Sequence, residues 1–169
     1  MNTTKRTALC GVLAALALVM LYIGGLTVLD LTVIAACALI TMVIVVEAGV
    51  KYAWIYAAAT STLAIILLPN KLYAIEYICF AAVYPVAKLY FERLGRVWAW
   101  IAKIAFLDVL LLICLILAQY VFALGEEYFS LNFVTMVLGT AFFIVYDFAL
   151  TTCITFYLVK LRKKLGVKK

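Results

Sequence analysis

Three acidic residues stand inside long apolar stretches of the sequence, where an ionisable side chain is costly in lipid and is a functional candidate by default. They are Glu76, Asp108 and Asp147. Asp108 follows Lys103 by five residues, so the lysine could partner it or extend to the membrane surface. Asp147 shares a predicted helix face with Thr151 and Thr155, which indicates a polar seam. Proton coupling would use Asp108 or Asp147, and the alternatives for each are a structural hydrogen bond or a carboxyl group that stays neutral in the membrane.

Glu76 is the acidic residue with the most suggestive neighbours. It lies five residues after Lys71, which is about 8 Å along a helix at 1.5 Å per residue. Aromatic residues fall on the same predicted helix stripe, at positions 73, 77, 80 and 84. A carboxylate between tyrosines could hold a cationic or heteroaromatic ligand by charge, hydrogen bonds and stacking. The predicted substrate-binding residues of this stripe are Tyr73, Glu76, Tyr77 and Phe80.

Two alternatives remain open for this stripe. Tyrosines gather at membrane interfaces in any case, and Glu76 could bond only a neighbouring helix. The segment from Leu124 to Asn132 could close over the same pocket, with Glu127, Tyr128 and Asn132 as further binding residues. A solvated turn with an aromatic anchor would account for that segment equally well.

Signatures of catalysis or metal binding are missing from the sequence. There is no histidine, which removes the commonest metal ligand and general base. The five cysteines all fall in apolar runs without a Cys-x-x-Cys pair, so they read as small hydrophobic residues. No glycine-rich phosphate loop or metalloprotease motif occurs. We therefore expect no catalytic residue, no metal, no cofactor and no enzymatic activity.

Small residues form two strips at helical spacing. Ala8, Gly11 and Ala15 share one face of the first apolar run, and the third run carries a second strip of Ala53, Ala57, Ser61 and Ala64. Such strips let helix backbones approach closely inside a membrane. Each strip could serve either packing within the bundle or docking of another membrane subunit.

The elements that position these residues are membrane-spanning helices. Hydrophobic residues make up 70% of the 169 residues and charged residues 13%, against roughly 45–50% and 25% in soluble domains. A span needs about 20 apolar residues, so the length allows six and leaves no room for a soluble domain. The sequence predicts one all-α domain, residues 1–169, with spans at about 7–23, 29–46, 52–68, 72–90, 97–124 and 131–161.

The basic residues predict the orientation of this bundle. Of 14 lysines and arginines, only Lys71 falls on one side of the six predicted spans, and the other thirteen fall on the opposite side with both termini. Cytoplasmic loops carry the excess of positive charge, so both termini are predicted to be cytoplasmic. The net charge of +6 then suits an anionic lipid leaflet and needs no nucleic-acid partner.

The chain resembles the substrate-binding S components of the energy-coupling-factor transporters, the bacterial importers of vitamins and micronutrients. The resemblance rests on size, six spans and cytoplasmic termini, with several local features. These are the basic, alanine-rich opening from Thr4 to Leu16, the tight turn from Glu47 to Lys51, Pro85 within the fourth span, and the basic C-terminal tail. The stretch between the first two spans, Gly24–Asp30, is shorter than the lid loop that this family often has.

The resemblance implies a multi-pass protein of the bacterial cytoplasmic membrane that captures a small-molecule substrate near the outer ends of its later helices. It also implies a transmembrane coupling subunit, driven by a pair of ATPases, that docks on Ala8, Gly11 and Ala15. Two other classes remain open. A non-catalytic scaffold similar to the small cell-shape proteins of the MreD type would need only the small-residue strips and the basic tail. A stand-alone proton-coupled carrier would use Asp108 or Asp147.

Overall fold

The computed structural model describes residues 2–27, 29–117 and 133–161, and throughout these ranges the regular structure is helical. Six helices are long and apolar enough to cross a membrane, which confirms the predicted all-α bundle of six spans. We number them α1 to α6: Thr3–Gly24, Asp30–Glu47, Val50–Leu67, Lys71–Phe91, Arg96–Ile116 and Phe133–Phe156. The first four differ from the predicted spans by at most four residues at either end. Residues 118–132, which include the end of the predicted fifth span and the start of the sixth, lie outside the described ranges. The C-terminal tail, residues 162–169, lies outside them as well.

The fourth helix, α4, is interrupted by a π-helical segment that the sequence analysis did not foresee. Its residues Lys71–Tyr77 and Tyr84–Phe91 are α-helical, and Ile78–Val83 between them is π-helical. The backbone N–H of Tyr84 donates to the carbonyl of Cys79, five residues earlier. Proline at position 85 has no N–H to donate, so it disturbs the hydrogen-bond ladder one turn before it. A second π-helical segment, Tyr157–Leu161, extends α6.

Short, well-capped connections hold the first four helices together. The Asn70 side chain accepts hydrogen bonds from the backbone N–H groups of Leu72 and Tyr73 at 3.0 and 3.3 Å, which caps the start of α4. The Lys71 ammonium donates to the carbonyls of Ile65 and Leu68 at 2.7 and 2.8 Å, at the end of α3. These bonds satisfy helix-end groups that lipid could not. The predicted turn at Pro69-Asn70-Lys71 is therefore confirmed.

At the opposite end, α2 and α3 are joined through Gly49. Its φ of +99° lies in the region that L side chains rarely adopt, so glycine suits this turn. Helix α2 packs against α1, α3, α4 and α6, and α5 packs against α4 and α6. Outward-facing side chains such as Val12, Trp98 and Phe148 are large, apolar and exposed, as a lipid-facing surface requires.

The two ends of the bundle differ in the connections they carry. The end with the α1–α2 and α3–α4 connections is named the external end, and the end with the α2–α3 and α4–α5 connections the cytoplasmic end. These names follow the predicted orientation, which stays a prediction.

Candidate functional site

A cavity of about 230 Å³ lies between α2, α4, α5 and α6 in the external half of the bundle. Helices α2 and α4 contribute the residues of their first halves, and α5 contributes residues from its second half. The lining residues are Leu31, Ile34, Ala35, Leu72, Glu76, Phe80, Leu107, Leu111, Cys114, Gly139, Phe142, Phe143 and Tyr146. Among these described residues Glu76 is the one charged side chain, so the wall is otherwise apolar or aromatic.

Glu76 is half-buried in this wall. Within the described part of the chain its carboxyl group makes no hydrogen bond and no ion pair. Its oxygens are not among the fully buried polar atoms, so they are accessible from the cavity, where few polar groups of the protein surround them. The carboxyl group thus faces a small apolar space with its hydrogen-bonding capacity unused. A ligand with a positive charge or N–H donors would supply the missing partner.

The structure separates the predicted aromatic stripe into two sets, which corrects the expectation that Tyr73 and Tyr77 line the pocket with Glu76. Tyr73 is buried beside the α1–α2 connection, and its hydroxyl lies 3.4 Å from the Asp30 carbonyl oxygen. Tyr77 is buried against α3 and donates to the Thr60 hydroxyl oxygen at 2.8 Å. Residues at i, i+3 and i+4 span about 100° of a helix surface. Helices packed on both sides of α4 divide that arc between them.

Phe80 lines the cavity together with Glu76, and its backbone carbonyl makes an unusual hydrogen bond to another helix. The Phe80 carbonyl oxygen accepts a hydrogen bond from the Tyr146 hydroxyl at 2.8 Å. In the π-helical pattern the natural donor to this carbonyl would be residue 85, which is proline and has no N–H. Tyr146 therefore satisfies an orphaned carbonyl inside the bundle and ties the distorted part of α4 to α6.

An aromatic layer forms the cytoplasmic boundary of the cavity. The rings of Tyr84 and Phe143 meet edge to face with centroids 4.7 Å apart, and Tyr146 lies 6.0 Å from Tyr84 and 6.1 Å from Phe143. Tyr84 is fully buried and Phe143 nearly so. Phe143 and Tyr146 also line the cavity. Tyr84 shares the predicted helix stripe of Glu76, but it lies beneath the cavity and bonds Asp147 instead.

Beneath this layer Asp147 is buried and accepts hydrogen bonds from three side chains. The Tyr84 hydroxyl donates to Asp147 Oδ1 at 2.5 Å, and the Lys88 ammonium pairs with the same oxygen. The Lys103 ammonium pairs with Oδ2 at 3.0 Å. Both carboxylate oxygens therefore carry charged partners, which is the condition under which a buried charge is tolerated.

The two lysines are buried as well, at 1% exposure for Lys88 and 6% for Lys103, against 2% for Asp147. Lys88 also donates to the Asp147 carbonyl oxygen at 3.0 Å and to Thr151 Oγ1 at 2.6 Å, which uses all three of its protons. A second carboxylate, Glu92, lies 3.4 Å from Lys103 Nζ and 3.8 Å from Lys88 Nζ, and its side chain is 44% exposed. We name Lys88, Lys103, Asp147 and Glu92 the charged cluster. Its two positive and two negative charges sum to zero.

The other predictions for the intramembrane acids are partly corrected. Lys103 pairs with Asp147 and Glu92 rather than with Asp108, which accepts a hydrogen bond from Thr140 at 3.2 Å. The predicted polar seam on α6 joins Asp147 to Thr151, whose hydroxyl donates to the Asp147 carbonyl and accepts from Lys88. Thr155 donates to the Thr151 carbonyl and bonds no charged group within the described residues. Sequence spacing alone favoured partners on the same helix, whereas the actual partners come from neighbouring helices.

The two small-residue strips occupy different environments. Ala8, Gly11 and Ala15 are exposed on the outer surface of the bundle, and a Cβ atom added at Gly11 would meet nothing within 4 Å. On α3, by contrast, Ala53, Ala57 and Ala64 are buried and Ser61 is half-buried. The α3 strip therefore serves packing within the bundle, and the α1 strip is left available to a partner or to lipid.

Three predicted binding residues, Glu127, Tyr128 and Asn132, lie outside the described residues. Several lining residues were not singled out from sequence, among them Leu107, Phe143 and Tyr146. Sequence spacing carried no signal for them, since apolar residues at helical spacing are expected on every face of a span. The helix-breaking Pro85 was the one visible sign of an irregularity near the site.

No family model matches this chain, no curated protein matches it in sequence, and no solved structure matches its fold. The chemistry of the cavity and of the charged cluster therefore rests on the residues described above.

Proposed function

We propose that this protein is the membrane-embedded substrate-binding subunit of an importer of the energy-coupling-factor type. It captures a small molecule from the external side in the cavity between α2, α4, α5 and α6. The observation that carries the proposal is the Glu76 carboxyl group, which has no partner among the described residues and faces an otherwise apolar cavity. A bilayer-spanning structural protein gains nothing from such a group, whereas a binding protein does.

The cavity defines the class of ligand. Its volume of about 230 Å³ exceeds the roughly 150 Å³ of an engineered apolar cavity that binds benzene, and it falls below the roughly 300–1,000 Å³ of sites for drug-sized ligands. One ring with substituents, or two fused rings, matches this size. Phe80, Phe142 and Phe143 offer faces and edges for stacking, and Glu76 prefers a cation or an N–H donor. A vitamin-like heteroaromatic compound combines these properties.

Transport by such a subunit also requires a coupling subunit and a pair of ATPases, in the cytoplasmic membrane of a bacterium. The exposed strip of Ala8, Gly11 and Ala15 supports this part of the proposal, because small residues on a lipid-facing surface permit close approach of another helix. A scaffold of the MreD type could use the same strip. The cavity favours the binding subunit, since a scaffold has no use for one.

The first experiment is to purify the protein from its native membrane, denature it, and identify any small molecule released by mass spectrometry. Wild type is compared with Glu76→Gln, which keeps the shape of the side chain and removes the charge. A lost charge-assisted hydrogen bond costs about 1.5–3 kcal/mol, which weakens affinity roughly ten- to a hundredfold. We expect a corresponding loss of affinity when the identified molecule is titrated back, at an unchanged melting temperature.

Asp108→Asn is the matched control, because Asp108 is also an intramembrane carboxyl but bonds Thr140 and does not line the cavity. It should retain the ligand. A Glu76→Gln variant that loses stability but binds as tightly as wild type would show that Glu76 is structural. Retention by Glu76→Gln with loss in Asp108→Asn would favour the proton-coupled carrier instead.

A further inference from the structure

Two of the five cysteines lie with their thiols in contact between α4 and α5. Cys114 Sγ lies 3.8 Å from Cys79 Sγ, and both residues are buried, at 8% and 7% exposure. They are 35 residues apart in the sequence, so the contact arises from the packing of the two helices. Both are free thiols. The bundle therefore holds a pair of reactive groups for which the sequence offered only a packing role.

The cavity gives one of these thiols access to small molecules. Cys114 lines the cavity, on the same wall as Glu76, whereas Cys79 is not among the lining residues. A reagent inside the cavity therefore meets Cys114 first. The volume of about 230 Å³ is ample for hydrogen peroxide, since one water molecule occupies about 30 Å³ in the liquid. Hydrogen peroxide is also uncharged, so the apolar wall does not repel it.

Two adjoining thiols can form either a metal site or a disulfide. A structural zinc ion takes four ligands, and within the described residues no group of three or more histidine, cysteine, aspartate or glutamate side chains is placed to hold a metal ion. A metal thiolate would also place charged groups in an apolar wall. A disulfide is uncharged and needs only the two sulfur atoms. The surroundings of Cys79 and Cys114 therefore favour the disulfide.

The bridge requires only a local movement. The S–S bond of a disulfide is about 2.05 Å long, so the two sulfur atoms must approach each other by roughly 1.8 Å. Cys79 belongs to the π-helical segment Ile78–Val83, whose hydrogen-bond ladder is already irregular. Such segments occur frequently at functional sites, and they adjust more readily than an uninterrupted α-helix.

We propose that Cys79 and Cys114 are a reversible redox site, which a peroxide entering the cavity oxidises to a disulfide that joins α4 to α5. Cys114, as the thiolate, attacks one oxygen of hydrogen peroxide and becomes a sulfenic acid, and the released hydroxide takes up the thiol proton as water. Cys79 then attacks the Cys114 sulfur, the disulfide forms, and the sulfenic hydroxyl leaves with the Cys79 proton as a second water. Both sulfur atoms are oxidised, and both peroxide oxygens are reduced.

The disulfide links the redox state of the protein to the wall of the cavity. Cys114 is part of that wall, and Phe80, the residue after Cys79, is another part. In the predicted orientation the cavity lies in the external half of the bundle, on the side of the membrane where disulfides persist. The oxidation itself does not depend on the proposed function, whereas any effect of the bridge on substrate capture does.

The test uses a variant that retains only Cys79 and Cys114, made with Cys10→Ala, Cys37→Ala and Cys153→Ala. The folded protein in detergent is treated with hydrogen peroxide, and its free thiols are then alkylated under denaturing conditions and counted by mass spectrometry. We expect loss of both free thiols, a peptide pair linked through Cys79 and Cys114, and recovery of both thiols with dithiothreitol. Recovery distinguishes a disulfide from a sulfinic acid, which dithiothreitol does not reduce.

Two kinds of control fix the order of attack and the pairing. A protein that retains Cys114 alone should form a sulfenic acid that dimedone traps, and one that retains Cys79 alone should form less, because only Cys114 lines the cavity. A protein that retains Cys37 and Cys114 is the matched control for pairing. Cys37 is also buried, but its thiol lies 3.8 Å from the Ala17 carbonyl oxygen on α1. This protein should form no internal disulfide.

Retention of both thiols, or irreversible oxidation without a linked peptide pair, would overturn the proposal and leave Cys79 and Cys114 as packing residues. Equal linkage in the Cys37 and Cys114 control would overturn it as well. If the alanine variant does not fold, the linked peptides of wild type treated in the same way decide. The assay needs no substrate. Its failure would leave the proposed function standing, and absence of a released small molecule would leave the redox site standing.

Discussion

Asp147 neutralises two buried lysines, so its replacement should reduce stability more than replacement of either lysine. In Asp147→Asn, Glu92 is the one charged partner that Lys88 and Lys103 keep among the described residues, and an uncompensated buried charge costs about 3–5 kcal/mol. In Lys88→Met, Asp147 still pairs with Lys103 and accepts from Tyr84, so the loss is nearer the roughly 1.5–3 kcal/mol of a hydrogen bond to a charged group.

The double variant Lys88→Met with Asp147→Asn separates pairing from packing. It removes one cation together with the anion, so its loss of stability should fall short of the sum of the two single losses by about 0.5–3 kcal/mol. The measurement is equilibrium unfolding in mixed detergent micelles, followed by circular dichroism. Thr152→Val is the control, since Thr152 is exposed on the same helix and bonds only the Phe148 carbonyl in the described structure.

Additive losses, or equal losses for Lys88→Met and Asp147→Asn, would refute this account of the cluster. Additivity would mean that the two groups do not sense each other's charge despite their contact. Equal losses would mean that the lysine side chains contribute packing rather than charge.

Two further substitutions test the helix contacts. Gly24→Ala should destabilise the bundle by about 1–3 kcal/mol in an unfolding measurement, because the new Cβ would lie 2.7 Å from the Tyr73 hydroxyl and 2.9 Å from Val33. Gly11→Ala is the control and should be nearly neutral, since its new Cβ would meet no atom within 4 Å. Equal stability of the two variants would contradict the packing at the α1–α2 connection. Gly11→Leu should abolish co-purification of the proposed coupling subunit, while the melting temperature and ligand binding stay unchanged. A variant that unfolds would show instead that Gly11 serves packing within the bundle.

Much of the fold could be predicted because the membrane imposes simple rules. Six apolar runs became six helices, since lipid offers no partner to an unpaired backbone group. The Pro69-Asn70-Lys71 turn was also predictable, as proline and asparagine end and begin helices by local hydrogen bonding. The π-helical segment was not, because Pro85 indicates a disturbance but not which ladder replaces the α-helical one.

The candidate site was predictable only in part. Glu76 and Asp147 stand out in the sequence because a carboxyl group inside an apolar run is unusual in itself, and Phe80 stands out only by its helical spacing from Glu76. Glu76 and Phe80 both line the cavity, and Asp147 is buried beneath it. Tyr73 and Tyr77 share the helix stripe of Glu76 but do not line the cavity. A helix has neighbours on several sides, and spacing along one helix cannot say which neighbour each residue meets.

The sequence by itself determined that the chain crosses the membrane six times, and which of its carboxyl groups lie within the spans. Both follow from transfer free energies that act residue by residue. Only the tertiary structure decided that Asp147 is paired with Lys88 and Lys103 across three helices, while Glu76 faces a cavity without a partner among the described residues. Pairing depends on distances between helices, which no single helix encodes.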